Sequence, residues 1–316
     1  MVTLEQMRGF LSSSLSSVNK NKLRGMLAEI KLREHLDEIG FGGNISAGGW
    51  IARSVVGPEQ PKFAESTVAL FPETVVPGRH YGMDREFPVP SYGLHTICAT
   101  MHQIGIRSFF CAPAFPDDAF AGSVVWNTVE LGIPNPGSYS ALDTAITGFT
   151  RRSRRYNFMK NHSEVEAIPD FAVPEEFTKE LLRVRFQESF MAEISDIDGI
   201  LWGKEHTYPL EIKEKTPGVD KKVGEYFGLD IGPFVKLAFY AAKRGNLHSI
   251  FVVREIDDED SRNLVEWRFI TFDVLAQYAS WVFGGGGTNM QGGMSSVVKI
   301  PKSRFSVLDR SALASL

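Results

Sequence analysis

Cysteine is nearly absent from this sequence. Two, Cys98 and Cys111, stand among 316 residues. That excludes a disulfide scaffold and any all-cysteine zinc or iron–sulfur centre, and it fits a reducing, cytoplasmic setting. Long apolar runs are missing too: no uncharged stretch of about 18 residues occurs, so no transmembrane helix is expected. The segment Met1 to Gly25 lacks the apolar centre of a secretory signal. Nor is there an excess of positive charge. With 34 Lys and Arg against 38 Asp and Glu, the formal net charge is −4, so a polyanion would have to be met by a local basic surface. There is no G-x-S-x-G elbow and no dinucleotide-binding glycine fingerprint. The Gly284-Gly285-Gly286-Gly287 run lacks the Lys-Ser/Thr of a phosphate-binding loop and reads as a mobile surface loop.

What is present is an ordinary globular mixture, 43% hydrophobic and 23% charged, in a chain long enough for about two domains. A first amphipathic helix is expected over residues 19–39, where Leu23, Met26, Leu27, Ile30, Leu32, Leu36 and Ile39 form an apolar stripe ending at Gly40. Short extended segments are expected at 49–56 and 67–71, a helix at 91–103 and a buried strand at 105–111. Turn residues dominate 113–161, with a helix near 139–150. Pro174-Glu175-Glu176 opens a further helix, since proline suits a first turn and acids suit its positive end.

Beyond that helix the pattern becomes strand-like. Residues 190–202 and 208–215, joined by a turn-like Gly203-Lys204-Glu205-His206-Thr207, are expected to form a β-hairpin. A helix over 232–244, strands at 247–253 and 265–272, a helix at 273–283 and a last strand at 297–300 follow. The fold class is therefore α/β or α+β, a mixed sheet with helices on its faces. The expected division is an N-terminal region, 1–170, and a C-terminal core, 171–316.

The chemistry sits in Asp198 and in Glu211-Ile212-Lys213. Side chains alternate along a strand, so Leu210 and Ile212 face one way and Glu211 and Lys213 the other. A hairpin would bring Asp198 beside Glu211 and Lys213. Two carboxylates suit a hard cation such as Mg²⁺, which keeps several waters and accepts phosphate oxygens. A metal-bound water with a lysine beside it is equipment for cutting a phosphodiester.

Asp198, a hairpin-length gap and Glu211-Ile212-Lys213 resemble the PD-(D/E)xK nuclease superfamily, which includes many type II restriction endonucleases. The likeness covers residues 190–253, roughly a fifth of the chain. It implies a restriction-endonuclease-like central mixed β-sheet flanked by helices, with the large N-terminal region serving as an insertion or a recognition part. It also implies that Asp198, Glu211 and the Ile212 carbonyl hold Mg²⁺ (or Mn²⁺ in its place) and that Lys213 is the catalytic lysine. Two departures stand out: Ile197 occupies the place of the motif's proline, and Lys236, in Lys236-Leu237-Ala238-Phe239-Tyr240, stands where RecB-like members carry glutamine. Members often add a glutamate from the first core helix. Glu29 and Glu188 compete for that role, with Glu193 as a further choice.

The expected activity is Mg²⁺-dependent cleavage of double-stranded DNA by a type II restriction enzyme, leaving a 5′-phosphate and a 3′-hydroxyl. A homodimer is expected because a palindromic site matches protein two-fold symmetry. A structure-specific repair or recombination nuclease and a non-catalytic DNA-binding protein with a decayed core are the alternatives. Arg151, Arg152, Arg154, Arg155 and Lys160, with Tyr156 and Phe158 nearby, form the densest basic cluster and the expected DNA contact. Arg79-His80-Tyr81 and Asp84-Arg85 are lesser candidates. His95, Cys98 and His102 fit no zinc motif and read as a core-facing polar stripe. Residues 255–260 read as a solvated acidic turn.

Overall fold

The computed structural model describes residues 1–15, 20–54, 67–116, 123–133, 137–156, 158, 163–242, 246–280, 284–290 and 293–316. Its helices, in chain order, are α1 (Leu4–Ser14), α2 (Lys20–Glu38), α3 (Tyr92–Gln103), α4 (Leu142–Ala145), α5 (Val173–Ser189), α6 (Ile231–Ala241), α7 (Phe272–Tyr278) and α8 (Arg310–Ala314). The strands are β1 (Ile45–Ser46), β2 (Gly49–Ser54), β3 (Thr67–Pro72), β4 (Arg107–Ala114), β5 (Val125–Leu131), β6 (Ser140–Ala141), β7 (Ala192–Ile197) and β8 (Ile200–Trp202). They continue with β9 (Thr207–Lys215), β10 (Gly218–Asp220), β11 (Gly224–Asp230), β12 (Ile250–Ile256), β13 (Leu264–Thr271), β14 (Gly284–Met290), β15 (Gly293–Pro301) and β16 (Ser306–Val307). The class is mixed α and β, consistent with α+β.

Two compact units emerge, Met1–Leu27 with Gly48–Ile197, and Ala28–Ala47 with Asp198–Leu316. Between them the chain divides at 197/198, whereas the sequence suggests 170/171, and α2 begins in the first unit and ends in the second. The first unit holds a sheet ordered β6-β5-β4-β3-β2-β7. Its only parallel pair among the described residues is β3 with β4; the chain between them includes α3, as a parallel connection requires. β4 is buried from Ser108 to Ala114. Ser91 caps α3 by accepting from the Leu94 N–H at 3.3 Å, and Pro174 sits in the first turn of α5 as expected.

In the second unit the main sheet runs β1-β8-β9-β12-β13-β16, and a smaller one runs β10-β11-β15-β14. β9 and β12 are parallel, joined by a connection that includes α6. β12 has apolar matter on both faces: Ile250 and Val252 pack with Leu32 and Leu36 of α2, while Phe251 and Val253 pack with Leu237 of α6 and Leu275 of α7. Burial on both faces explains its almost uninterrupted apolar run. Leu210 and Ile212 of β9 join the α2 side, which leaves Glu211 and Lys213 to the other.

Several expectations need correction. The hairpin is short: β8 pairs with β9 only from Ile200↔Pro209 to Trp202↔Thr207, whereas β7 pairs with β2 in a different sheet. The turn-rich reading of 113–161 missed β5, whose Trp126, Val129 and Leu131 are buried, and the helix near 139–150 is only the single turn α4. The glycine run is no loop. It lies in β14, held by the ladder to β15, with Gly284 opposite Val297 and Gly285 opposite Ser296. His102 is exposed while Cys98 is buried, so His95, Cys98 and His102 form no single core-facing stripe. Glu255 is buried in β12 and bonds to Arg268 at 2.7 Å; the turn begins after it.

Candidate functional site

The site is built where the β8 ladder stops. The N–H of Leu210 donates to the Gly199 carbonyl at 2.9 Å. Two residues further along β9 the N–H of Ile212 donates instead to Asp198 Oδ2 at 2.7 Å. A side-chain carboxylate thus takes over the acceptor role that a backbone carbonyl would have filled, and a charged acceptor makes this a strong hydrogen bond. Asp198 is buried, at 7% exposure. Gly199 directly after it approaches Ile45 and Leu210 closely; an added Cβ would meet Ile45 Cδ1 at 3.2 Å.

Glu211 and Lys213 flank Ile212 in sequence. Lys213 Nζ lies 2.6 Å from Glu211 Oε1, and Lys236 Nζ of α6 lies 2.5 Å from Glu211 Oε2. The buried Glu211 therefore stands between two ammonium groups. Lys213 is the more open of the two, with 34% of its side chain exposed against 15% for Lys236. Of the three residues singled out by the sequence motif, Asp198 meets β9 at the Ile212 N–H and Glu211 pairs with Lys213; Asp198 arrives through the end of β8 rather than through a long hairpin.

Between Glu29 and Glu188, only Glu29 reaches the acids. It lies on the second-unit part of α2, is buried, and offers a carboxylate oxygen that lies, with one from Asp196 and one from Asp198, within 4.8 Å of the others. Three carboxylates so close, two of them buried, form a donor set of hard oxygens and need positive charge to offset their repulsion. They can hold a metal ion; nothing in the oxygen set names which. Sequence reasoning passed over Asp196. Its signal was the Asp196-Ile197-Asp198 spacing, which puts two carboxylates on one side of extended chain.

Glu188 lies elsewhere. Its Oε1 accepts from the Tyr156 N–H at 2.9 Å, and it lines a cavity in the first unit with Arg151, Arg152, Arg154, Arg155 and Arg185. Glu193 is paired with Arg53 at 2.6 Å. Lys160 lies outside the described residues. The arginine run is fastened to the end of α5: Arg152 N–H donates to Ser189 O at 2.9 Å and its Nε to Gln187 O at 2.6 Å. These bonds occupy carbonyls that the last turn of a helix leaves without helical partners.

Of the lesser candidates, Arg85 is paired with the Glu73 carboxylate and lies over the Tyr81 ring, so it is engaged inside the first unit. His80 bonds to Asp84 at 3.2 Å. Both thiols are buried, and burial pushes Cys98 up to about 12 and Cys111 higher still. Neither is a thiolate nucleophile at neutral pH.

Comparison with known proteins yields no match: no family model, no curated protein and no solved structure resembles this chain closely enough to be assigned to it. Among the described residues no helix is long and apolar enough to cross a membrane.

Proposed function

We propose that this chain is a metal-dependent endonuclease acting on double-stranded DNA, and that its second unit is a restriction-endonuclease-like core. The single observation that carries the reading is the Asp198 carboxylate bonded to the Ile212 N–H, between Glu211 and Lys213. The order of elements is in keeping with it: strand β9 with Glu-Ile-Lys, helix α6, then strand β12 parallel to β9.

Asp198, Glu29 and Asp196 are the groups that would hold a divalent cation, Mg²⁺ in the first instance, with Mn²⁺ able to replace it. Glu211 is the fourth acid at hand, and the Ile212 carbonyl shares the strand edge of the N–H that meets Asp198. Bound there, such an ion supplies a more acidic water and neutralises charge on a phosphodiester. The remaining work belongs to side chains. Lys213, half-open to solvent and aligned by Glu211, is placed to steady the negative charge that builds on the phosphoryl oxygens as water attacks in line. The 3′-oxygen leaves, giving a 5′-phosphate and a 3′-hydroxyl. Contacts with the DNA backbone are assigned to Arg151, Arg152, Arg154 and Arg155, and a homodimer cutting both strands of a palindrome is the form proposed.

A plasmid digest tests this. With Mg²⁺ or Mn²⁺ the parent protein should cut, and Lys213→Ala and Glu211→Gln should each slow cutting on the order of a hundredfold or more while DNA binding persists; the unfolding midpoint should hold in Lys213→Ala and fall in Glu211→Gln, which breaks the buried pair with Lys236. Discrete fragments indicate a sequence-specific enzyme; cutting confined to branched, mismatched or end-bearing DNA indicates a repair nuclease instead. No cleavage by the parent with either ion, or full activity in both variants, overturns the reading.

A further inference from the structure

The first unit contains two neighbouring cavities that the acidic centre does not use. One, of about 690 Å³, is lined by the four arginines of residues 151–155 together with Arg185. The other, of about 330 Å³, is lined by Phe10 and Phe158 with Val124, Leu181 and Val184. Ser123, Arg185 and Glu188 line both, so the two meet across those side chains. Each falls within the roughly 300–1,000 Å³ usual for small-molecule sites.

The chemistry of the two halves is complementary to the two ends of one molecule. Arginine forks suit phosphate oxygens. Part of the arginine set is already fixed: Arg152 bonds to the end of α5, Arg151 to the Asp143 carbonyl, and Arg185 Nη2 to Asp143 Oδ2 at 3.0 Å. Arg154 and Arg155 make no side-chain hydrogen bond among the described residues and are exposed. On the other side, Phe158 is 45% exposed and meets the Phe10 ring edge-on at 5.7 Å between centroids. An aromatic face left open beside a basic cavity is a platform for a nucleobase. Glu188, oriented by the Tyr156 N–H, presents a carboxylate between the halves that can accept from an exocyclic amine, as of cytosine, adenine or guanine, but finds no such donor on thymine.

We infer that the paired cavities bind a single nucleotide, its phosphate on Arg154 and Arg155 and its base against Phe158. The shared chemistry has two sources, a free nucleoside monophosphate or one unit of a polynucleotide turned out of its stack. The inference stands on the first unit alone and does not need the metal-dependent chemistry of the second.

Titration calorimetry in EDTA, where no cleavage takes place, tests it with dCMP, dGMP and inorganic phosphate as probes. A 5′-phosphorylated duplex carrying 2-aminopurine is the probe for the second source. Nucleotide binding should exceed phosphate binding at least tenfold. Arg154→Ala with Arg155→Ala should weaken both ligands. Phe158→Ala should weaken the nucleotide and leave phosphate unchanged. These substitutions lie at exposed positions, and an unchanged unfolding midpoint shows that the fold survives them. A rise in 2-aminopurine fluorescence that Phe158→Ala abolishes assigns the nucleotide to the strand; calorimetric binding of dCMP or dGMP without such a rise assigns it to the free pool. Phosphate bound as tightly as nucleotide, indifference to Phe158→Ala, or no binding by either source overturns the inference.

Discussion

Asp198 and Ile212 are joined by a hydrogen bond that runs from main chain to carboxylate, 2.7 Å from the Ile212 nitrogen to Asp198 Oδ2. The Ile212 side chain is meanwhile locked among Leu32, Leu210, Ile250 and Val252. The rigidity of a packed core is thereby passed to a charged group. The bond engages one carboxylate oxygen, and the Glu29–Asp196–Asp198 grouping draws on the same residue for a cation. Asp198→Asn separates the two roles, because an amide oxygen can still accept from Ile212 but carries no charge. The expected outcome is an unfolding midpoint that moves by no more than about 1–2 kcal/mol in stability, together with Mn²⁺ affinity at least about tenfold weaker. Calorimetric titration with Mn²⁺ reads this directly, and equal affinity in the two proteins would remove Asp198 from the metal set.

Lys236 gives a second handle. Its ammonium lies 2.5 Å from Glu211 Oε2 and is largely buried, so it neutralises an acid that would otherwise carry its charge in the interior beside Lys213 alone. Lys236→Met keeps the aliphatic stem and removes the charge. Without metal the variant should be less stable by about 3 kcal/mol, the cost of breaking one side of a buried pair. With metal the sign reverses. A dication held beside Glu211 would be repelled by the Lys236 ammonium, so removal of that charge should tighten Mg²⁺ binding on the order of tenfold. The gain in thermal midpoint on adding Mg²⁺ should therefore be larger in Lys236→Met than in the parent. An equal or smaller gain would show that Lys236 does not face the cation.

Much of this arrangement was legible in the sequence, and what was not has physical reasons. α2 announced itself because its apolar residues recur at the helical period, and β9 because Leu210 and Ile212 alternate with Glu211 and Lys213. The choice between Glu29 and Glu188 was closed to periodicity, since both are acids on helices that a local pattern predicts equally well. Only tertiary packing sends one toward Asp198 and the other toward the arginine cavity. The long hairpin failed for a related reason. β7 and β8 lie on either side of Asp198-Gly199 in one extended stretch of sequence, yet they serve different sheets, and nothing in local alternation marks where a chain changes partners. β14 hid because glycines display no alternation at all. β5, by contrast, carried readable strand formers in Val125, Trp126, Thr128 and Val129, which the surrounding turn residues outweighed.

The pH dependence of stability should carry the mark of Asp220 and Lys299. Lys299 Nζ bonds to Asp220 Oδ2 at 2.7 Å and ties the β10–β11 turn to β15. The bond from Lys299, helped by the N–H groups of Lys222 and Val223, brings the Asp220 carboxyl down to about 2, and the same pairing raises Lys299 above the usual lysine value. A carboxyl held below its unfolded value of 3.8 gives stability that is complete above that value and disappears as the pH falls through about 2. A lysine held above 10.5 gives stability that is complete below that value and disappears as the pH rises through its raised one. The contribution should thus be level from about pH 5 to about pH 10 and fall away on both sides. Thermal midpoints of the parent and of Asp220→Asn, measured from pH 2 to pH 8, should differ by a constant amount across the neutral range and converge toward pH 2. If the two curves instead run parallel down to pH 2, the pair does not form in solution, and the turn is held by its backbone bonds alone.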